Sequence, residues 1–244
     1  MNFKGGPCSR KVETQAPCPF AGLKNLKVAM MKKRKIDYSL YLVTDRKLSL
    51  GRSLLEVIRP AVEGGVTVVQ LREKEVDSRE FYREALRIKD YLDKRDIPLI
   101  INDRLDIALA IDAAGVHLGQ EDLPVDVARK ILGPGRIIGA SVFTPDEAIQ
   151  AEAMGADYLG LSPIFVTSTK PELTSQIGLA GIGPIRRATR LPLVGIGSMN
   201  ETNAFSVIRA GLDGVAVVSA ICSRPDACAA AGNIMQEILR ARGQ

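Results

Sequence analysis

From Tyr38 onward, short runs rich in Val, Ile and Leu recur eight times, each followed by an amphipathic stretch of about 8–17 residues. The runs are Tyr38–Thr44, Thr67–Leu71, Leu99–Asn102, Gly115–Leu118, Arg136–Val142, Asp157–Ser162, Leu193–Gly197 and Gly214–Ser219. The stretches between and after them predict helices over 53–64, 79–94, 104–112, 124–132, 144–154, 180–189, 200–210 and 226–241. Parallel strands need a crossover of a dozen or more residues, which a helix supplies. Eight strand–helix units in about 209 residues therefore predict an α/β fold: a single-domain (β/α)8 barrel, near the small end of that class. Pro98 and Pro192 fall just before the third and seventh runs, where proline starts a strand without breaking a ladder. An open doubly wound sheet is the competing architecture. Its glycine-rich turn after the first strand is replaced here by Thr44-Asp45-Arg46-Lys47.

The charge is uneven along the chain. In total, 33 Lys and Arg face 28 Asp and Glu, a net of +5. Residues 1–35 hold nine of the basic residues and one of the acidic ones, so the remainder carries 24 basic and 27 acidic residues. A basic leader thus precedes a mildly acidic body over 36–244, and composition gives no reason to expect nucleic-acid binding by that body. The leader shows no periodicity, and two readings of it stay open: a natural translation start at Met30 or Met31, or a disordered tail. Lys24 and Lys27 interrupt the only apolar segment that a signal peptide could use. No run reaches the roughly 18 apolar residues of a membrane span. Cys8, Cys18, Cys222 and Cys228 form neither a zinc-ligand spacing nor a disulfide framework, so a reducing cytoplasm is the expected setting.

In a barrel of this kind, chemistry sits at the carboxyl ends of the strands, and polar residues gather there. After the second run, alternation puts Gln70, Arg72 and Lys74 on one side, opposite Leu71 and Glu73. Two cations and an amide suit a polyanion; pairing with nearby acids is the bland alternative. Asn102 and Asp103 end the third run and Asp122 follows the fourth. Two carboxylates about 4 Å apart repel by about 4 kcal/mol at an effective dielectric near 20. A hard cation with phosphate oxygens in its shell relieves that repulsion; helix capping by either Asp is the alternative. Ser141 ends the fifth run, and Thr167, Ser168, Thr169 and Lys170 lie in a long loop from Val166 to Gly178. Gly197, Ser198, Val218 and Ser219 follow the last two runs, where this fold commonly binds phosphate through bare backbone. His117, the only histidine, is read as a packing residue within its strand, and Cys222 and Cys228 as buried fillers. With many anion-binding groups and no convincing nucleophile, the pattern predicts electrostatic chemistry on phosphorylated substrates.

These segments, in this order, resemble the thiamine-phosphate synthase family. The match runs from about Tyr41 to Ile221. It rests on Tyr41-Leu42-Val43-Thr44-Asp45, Gln70-Leu71-Arg72-Glu73-Lys74, Ile101-Asn102-Asp103, Val116 through Asp122, Gly139-Ala140-Ser141, Thr167-Ser168-Thr169-Lys170 and Val218-Ser219-Ala220-Ile221. The resemblance implies a transferase that condenses a hydroxymethylpyrimidine diphosphate with a thiazole phosphate, or the carboxylated form of that thiazole, giving thiamine phosphate and diphosphate. It implies Mg2+ held by Asp103 and Asp122. By the same resemblance, Arg72, Lys74, Ser141 and Lys170 act catalytically on the diphosphate, and Gln70 and Asn102 place the pyrimidine. Thr167 and Thr169 would meet the thiazole, and Gly197, Ser198, Val218 and Ser219 its phosphate.

Two positions depart from the family's pattern. Val166 stands where Pro is usual, and Ser198 where a second Gly is usual, so Ser198 would either crowd the phosphate or donate to it. A thiazole tautomerase on a similar barrel is the alternative enzyme, and a noncatalytic phosphate-ligand sensor the alternative binding protein. The expected partners are small phosphorylated molecules, with neither nucleic acid nor membrane. A homo-oligomer through the outer helices stays open.

Overall fold

The computed structural model describes residues 36–166 and 175–244. Expectations for residues 1–35, and for Thr167, Ser168, Thr169 and Lys170, fall outside the described residues. Eight parallel strands close into a barrel in sequence order: β1 (Leu40–Val43), β2 (Val68–Leu71), β3 (Leu99–Asn102), β4 (Gly115–Leu118), β5 (Ile137–Val142), β6 (Tyr158–Leu161), β7 (Leu193–Gly195) and β8 (Gly214–Val217). Closure comes from β1 pairing β8, with Leu40 opposite Val215 and Leu42 opposite Val217.

Around the barrel lie α1 (Leu54–Glu63), α2 (Ser78–Asp93), α3 (Leu105–Ala110), α4 (Val125–Leu132), α5 (Pro145–Ala153), α6 (Gly178–Ala188), α7 (Ala204–Arg209), α8 (Ser219–Cys222) and α9 (Ala227–Arg242). Their starts are chemically marked. Ser53 and Glu56 form a reciprocal capping box on α1, while Asp77, Thr144 and Asp226 accept from backbone N–H groups of α2, α5 and α9.

Strand alternation divides the apolar residues into two cores. Leu40, Leu42, Val69, Leu71 and Ile101 face outward and pack against the helices, whereas Tyr41, Val43, Val68, Ile100, Tyr158, Val194 and Ala216 fill the barrel interior. Reversing that alternation would place polar Gln70 among the helices, so the same period that builds the core aims the mouth.

Several element ends fall one to four residues from expectation, among them β1, β7, α3 and α6, and two of the differences border the strand ends of the mouth. The seventh helix begins at Ala204, because Asn200 accepts from Thr202 and Asn203 accepts from the Asn200 N–H, holding 200–203 as a turn. The eighth strand stops at Val217, and Ser219 opens the short α8 instead. Among the described residues, no helix is long and apolar enough to cross a membrane.

Candidate active site

At the carboxyl ends of the strands lies a cavity of about 660 Å³. It is lined by Gln70, Arg72, Lys74, Asn102, Asp103, Asp122, Ser141, Gly197, Ser198, Val218 and Ser219, so every predicted site residue that is described reaches it. The alternation read from β2 holds. Glu73, on the opposite side, is instead forked by the Arg46 guanidinium at 2.9 and 3.1 Å.

Each strand end is fixed by backbone or buried polar contacts. Thr44, itself buried, donates its N–H to Gln70 O at 3.0 Å and accepts from the Arg72 N–H at 3.1 Å, locking the end of β2 to that of β1. Asp103 adopts a left-handed φ of 59°, a conformation that Asp tolerates better than most residues, and donates its N–H to His117 O at 2.9 Å. Asp122 Oδ2 accepts from the Gly119 N–H at 2.6 Å. Neither Asp caps a helix: α3 and α4 follow Arg104 and Pro124, with no side-chain cap bond on either. The capping alternative therefore fails for both.

The cations do pair with acids, but with acids of the same cavity. Lys74 is bonded to Asp103, and Arg72 stands 3.8 Å from Asp45. Asp103 and Asp122 are close enough for their carboxyls to share a hydrogen bond. Burial, and then the neighbouring Asp103, push the Asp122 carboxyl above the usual carboxylate range. Burial acts the same way on Asp103, but hydrogen bonds from Lys74 and Asp122 outweigh it and hold its carboxyl low. Two adjacent carboxyls that resist joint ionisation are a donor set suited to a hard dication. Among the described residues there is no group of three or more His, Cys, Asp or Glu placed to hold a metal. Two carboxylates would leave the rest of an ion's shell to water and phosphate, an arrangement that Mg2+ accepts.

On the other side of the mouth, Gly197 has a φ of 110°, and a Cβ there would lie 2.8 Å from Phe165 O and from Pro163 Cβ. Bare backbone is therefore required at this position. Ser198 keeps a φ of 51° despite its side chain, and its Oγ donates to Val166 O at 2.6 Å. The two departures from the family pattern are thus hydrogen-bonded to each other. The Ser198 hydroxyl proton is committed to that carbonyl, so neither crowding of a phosphate nor donation to one follows from this geometry.

Sequence reasoning missed the floor of the cavity. His117, expected to be a packing residue, lines it together with Tyr41 and Tyr158, and its Nε2 lies 3.0 Å from Ser141 Oγ. Cys222 matches expectation: it is fully buried, and burial pushes its thiol up to about 11. Cys228 is half-buried.

Known proteins resemble this chain in sequence and fold. A family model described as thiamine monophosphate synthase matches residues 40–221. The thiamine-phosphate synthase of Desulfitobacterium hafniense is 52% identical over 200 residues, which cover 82% of this chain and 97% of that protein. That of Moorella thermoacetica is 50% identical over 208 residues, covering 85% and 99%. Among solved structures, thiamine phosphate pyrophosphorylase from Pyrococcus furiosus is 38% identical with a TM-score of 0.77, covering 84% of this chain and 97% of that one. The closed barrel, the convergent charges at its mouth and these likenesses place the chain in the thiamine-phosphate synthase family, transferases of thiamine biosynthesis.

Proposed function

We propose that the cavity at the carboxyl ends of the strands is where this chain joins 4-amino-5-hydroxymethyl-2-methylpyrimidine diphosphate to a thiazole phosphate, releasing diphosphate and giving thiamine phosphate. The observation that carries this is the convergence of Arg72, Lys74, Ser141, Asp103 and Asp122 on one cavity whose polar floor is committed to internal hydrogen bonds. Arg72, Lys74 and Ser141 bind the diphosphate, with Lys170 from the loop outside the described residues joining them. Gln70 and Asn102 orient the pyrimidine. The thiazole is met by Thr167 and Thr169, also outside the described residues, and its phosphate by backbone at Gly197, Ser198, Val218 and Ser219.

Asp103 and Asp122 would hold Mg2+, which would supply positive charge to the leaving diphosphate. The remaining work belongs to the chain. As the C–O bond to diphosphate breaks, its electron pair leaves with the oxygen, and charge grows on the phosphate that Arg72, Lys74 and Ser141 face. These groups are in place before the reaction, so they need no reorganisation while it proceeds. The thiazole nitrogen then gives its lone pair to the methylene carbon, forming the C–N bond. No protein nucleophile is needed. Lys74 shares the Asp103 carboxylate, so one bridge sets the positions of both a cation and a metal ligand.

Incubating the protein with both substrates and Mg2+ tests the assignment. Thiamine phosphate and diphosphate are expected in equal amounts. An isomerised thiazole alone, or binding of both substrates without turnover, contradicts it.

A further inference from the structure

Five side chains from five different strands run in an unbroken hydrogen-bonded line beneath the cavity. Gln70 Nε2 donates to Tyr41 OH at 2.9 Å, and Tyr41 OH lies 2.8 Å from Tyr158 OH. Tyr158 OH is 2.9 Å from His117 Nδ1, and His117 Nε2 is 3.0 Å from Ser141 Oγ. In the proposed function both ends of the line, Gln70 and Ser141, hold the pyrimidine diphosphate, and the role of the line rests on that reading of the site.

The barrel makes deliberate room for this line. A Cβ at Gly139 would fall 2.4 Å from Tyr158 OH, and one at Gly160 would fall 2.9 Å from His117 Cε1. Glycine within a strand weakens it and often marks close approach by another group. Here the two strand glycines flank the two rings: Gly139 pairs in register with both His117 and Tyr158, and Gly160 pairs with Ser141. The rings are also in mutual contact, with centroids 5.5 Å apart.

Counting hydrogens gives the line its direction. The Gln70 amide nitrogen only donates, so the Tyr41 oxygen is an acceptor toward Gln70. Burial raises the Tyr41 and Tyr158 phenols well above the ordinary tyrosine range, so each keeps its hydrogen at neutral pH. Suppose the line ran from Ser141 toward Gln70. The Tyr41 oxygen would then accept twice, and its own hydrogen, on a residue only 1% exposed, would lose its partner. Running the other way, every hydrogen is used. Tyr41 donates to Tyr158, Tyr158 donates to His117 Nδ1, and a neutral His117 protonated on Nε2 donates to Ser141 Oγ. The Ser141 carbonyl is already taken by Gln120 Nε2 at 2.5 Å, so its backbone is held as well.

We propose that His117 is a positioning residue: held in its Nε2–H tautomer by the Gln70–Tyr41–Tyr158 line, it fills an acceptor position on Ser141 and leaves the Ser141 hydroxyl a donor directed at the diphosphate. At the far end, Gln70 is left presenting its carbonyl oxygen to the pyrimidine. One line thereby sets a donor and an acceptor at two edges of the same substrate. A hydroxyl whose direction is set in advance stabilises growing phosphate charge without turning during the reaction.

His117 is the only histidine in the chain, so the full-length protein labelled with 15N-histidine gives a single imidazole signal set. Two- and three-bond 1H–15N correlations at neutral pH, without ligand, are expected to report the Nε2–H tautomer. Tyr158→Phe removes the donor to Nδ1; it should yield mixed tautomers and lower kcat about tenfold, the worth of one hydrogen bond to a charged group, with KM for the thiazole phosphate unchanged. Tyr38→Phe, whose ring stacks on Tyr158 at 4.7 Å outside the line, should leave the tautomer as in wild type. An Nδ1–H tautomer or an imidazolium in the wild-type protein overturns the proposal while leaving the diphosphate assignment standing. If the tautomer is Nε2–H but Ser141→Ala binds inorganic diphosphate with Mg2+ as tightly as wild type, the assignment of Ser141 falls and the direction of the line survives.

Discussion

The two ends of the barrel are built from the same eight strands and hold cavities of similar size, about 660 Å³ at the carboxyl ends and about 540 Å³ at the amino ends. Both are lined with aspartates, yet the charges are arranged in opposite ways. At the amino end Asp157, Asp112 and Asp93 are each answered locally. Asp157 accepts from Arg129 at 2.5 Å and from the Ile138 N–H at 2.8 Å; Asp112 accepts from Arg136 at 2.6 Å; Asp93 pairs with Lys89 one helical turn away. Arg129 also donates to the carbonyls of Gly133, Gly155 and Arg136, so its charge is fully occupied in tying α4 to β5 and β6. At the carboxyl end Lys74 bridges Asp103, but a second carboxyl, Asp122, stands beside that pair and Arg72 has an acid only at 3.8 Å. Charge that is neutralised in place holds a fold together. In the proposed function, charge left converging on a cavity serves a ligand.

Substitutions at the two ends should therefore separate activity from stability. The largest effect is expected at the mouth. Asp103→Asn keeps a residue tolerant of positive φ and should cut turnover about 10²–10³-fold, with little change in Tm. Near-normal turnover at ordinary Mg2+ would remove the metal assignment. Next comes the opposite end, where Arg129→Ala should destabilise the fold by about 2–4 kcal/mol, because it strands a part-buried Asp157 and several carbonyls. Denaturant melts would measure the loss, and kcat of the folded fraction should stay at the wild-type value; a fall in kcat matching the first variant would erase the distinction between the ends. Lys74→Ala, back at the mouth, should lower kcat/KM for the pyrimidine diphosphate about tenfold. An unchanged value would make the Lys74–Asp103 bridge purely structural. Smallest of all is Ser198→Gly, which trades relief of the left-handed backbone, about 1 kcal/mol, against the bond to Val166. The two nearly cancel, so Tm should move by less than the shift of about 2–4 °C that an uncompensated loss of about 1 kcal/mol would give; a larger drop would show that the Ser198–Val166 bond dominates.

The fold was legible because its signal is periodic. Alternation within a single strand is enough to place Gln70, Arg72 and Lys74 on one side, and the strand–helix alternation puts Asp103, Asp122 and Ser141 at neighbouring strand ends. What one strand cannot reveal is register against another. Tyr41 and Tyr158 are 117 residues apart, and His117 meets Tyr158 only because both flank Gly139 in the sheet. A lone histidine in a strand therefore looked like packing. The available clue was the pair of glycines at 139 and 160, each inside a strand, which marks a place where something bulky comes close. The turn at 200–203 was missed for a local reason: Asn200 and Asn203 bond the backbone around them in place of a helix start.

The central claim is that converging charge at one end of the barrel, and not charge as such, binds the leaving group. Calorimetric titration of inorganic diphosphate tests it most directly, with and without Mg2+, against wild type, Asp103→Asn and Asp112→Asn, the last an exposed acid lining the opposite cavity. Binding that requires Mg2+, persists in Asp112→Asn and is lost in Asp103→Asn is the predicted result. Equal binding by all three proteins, or equal loss in both variants, would contradict it.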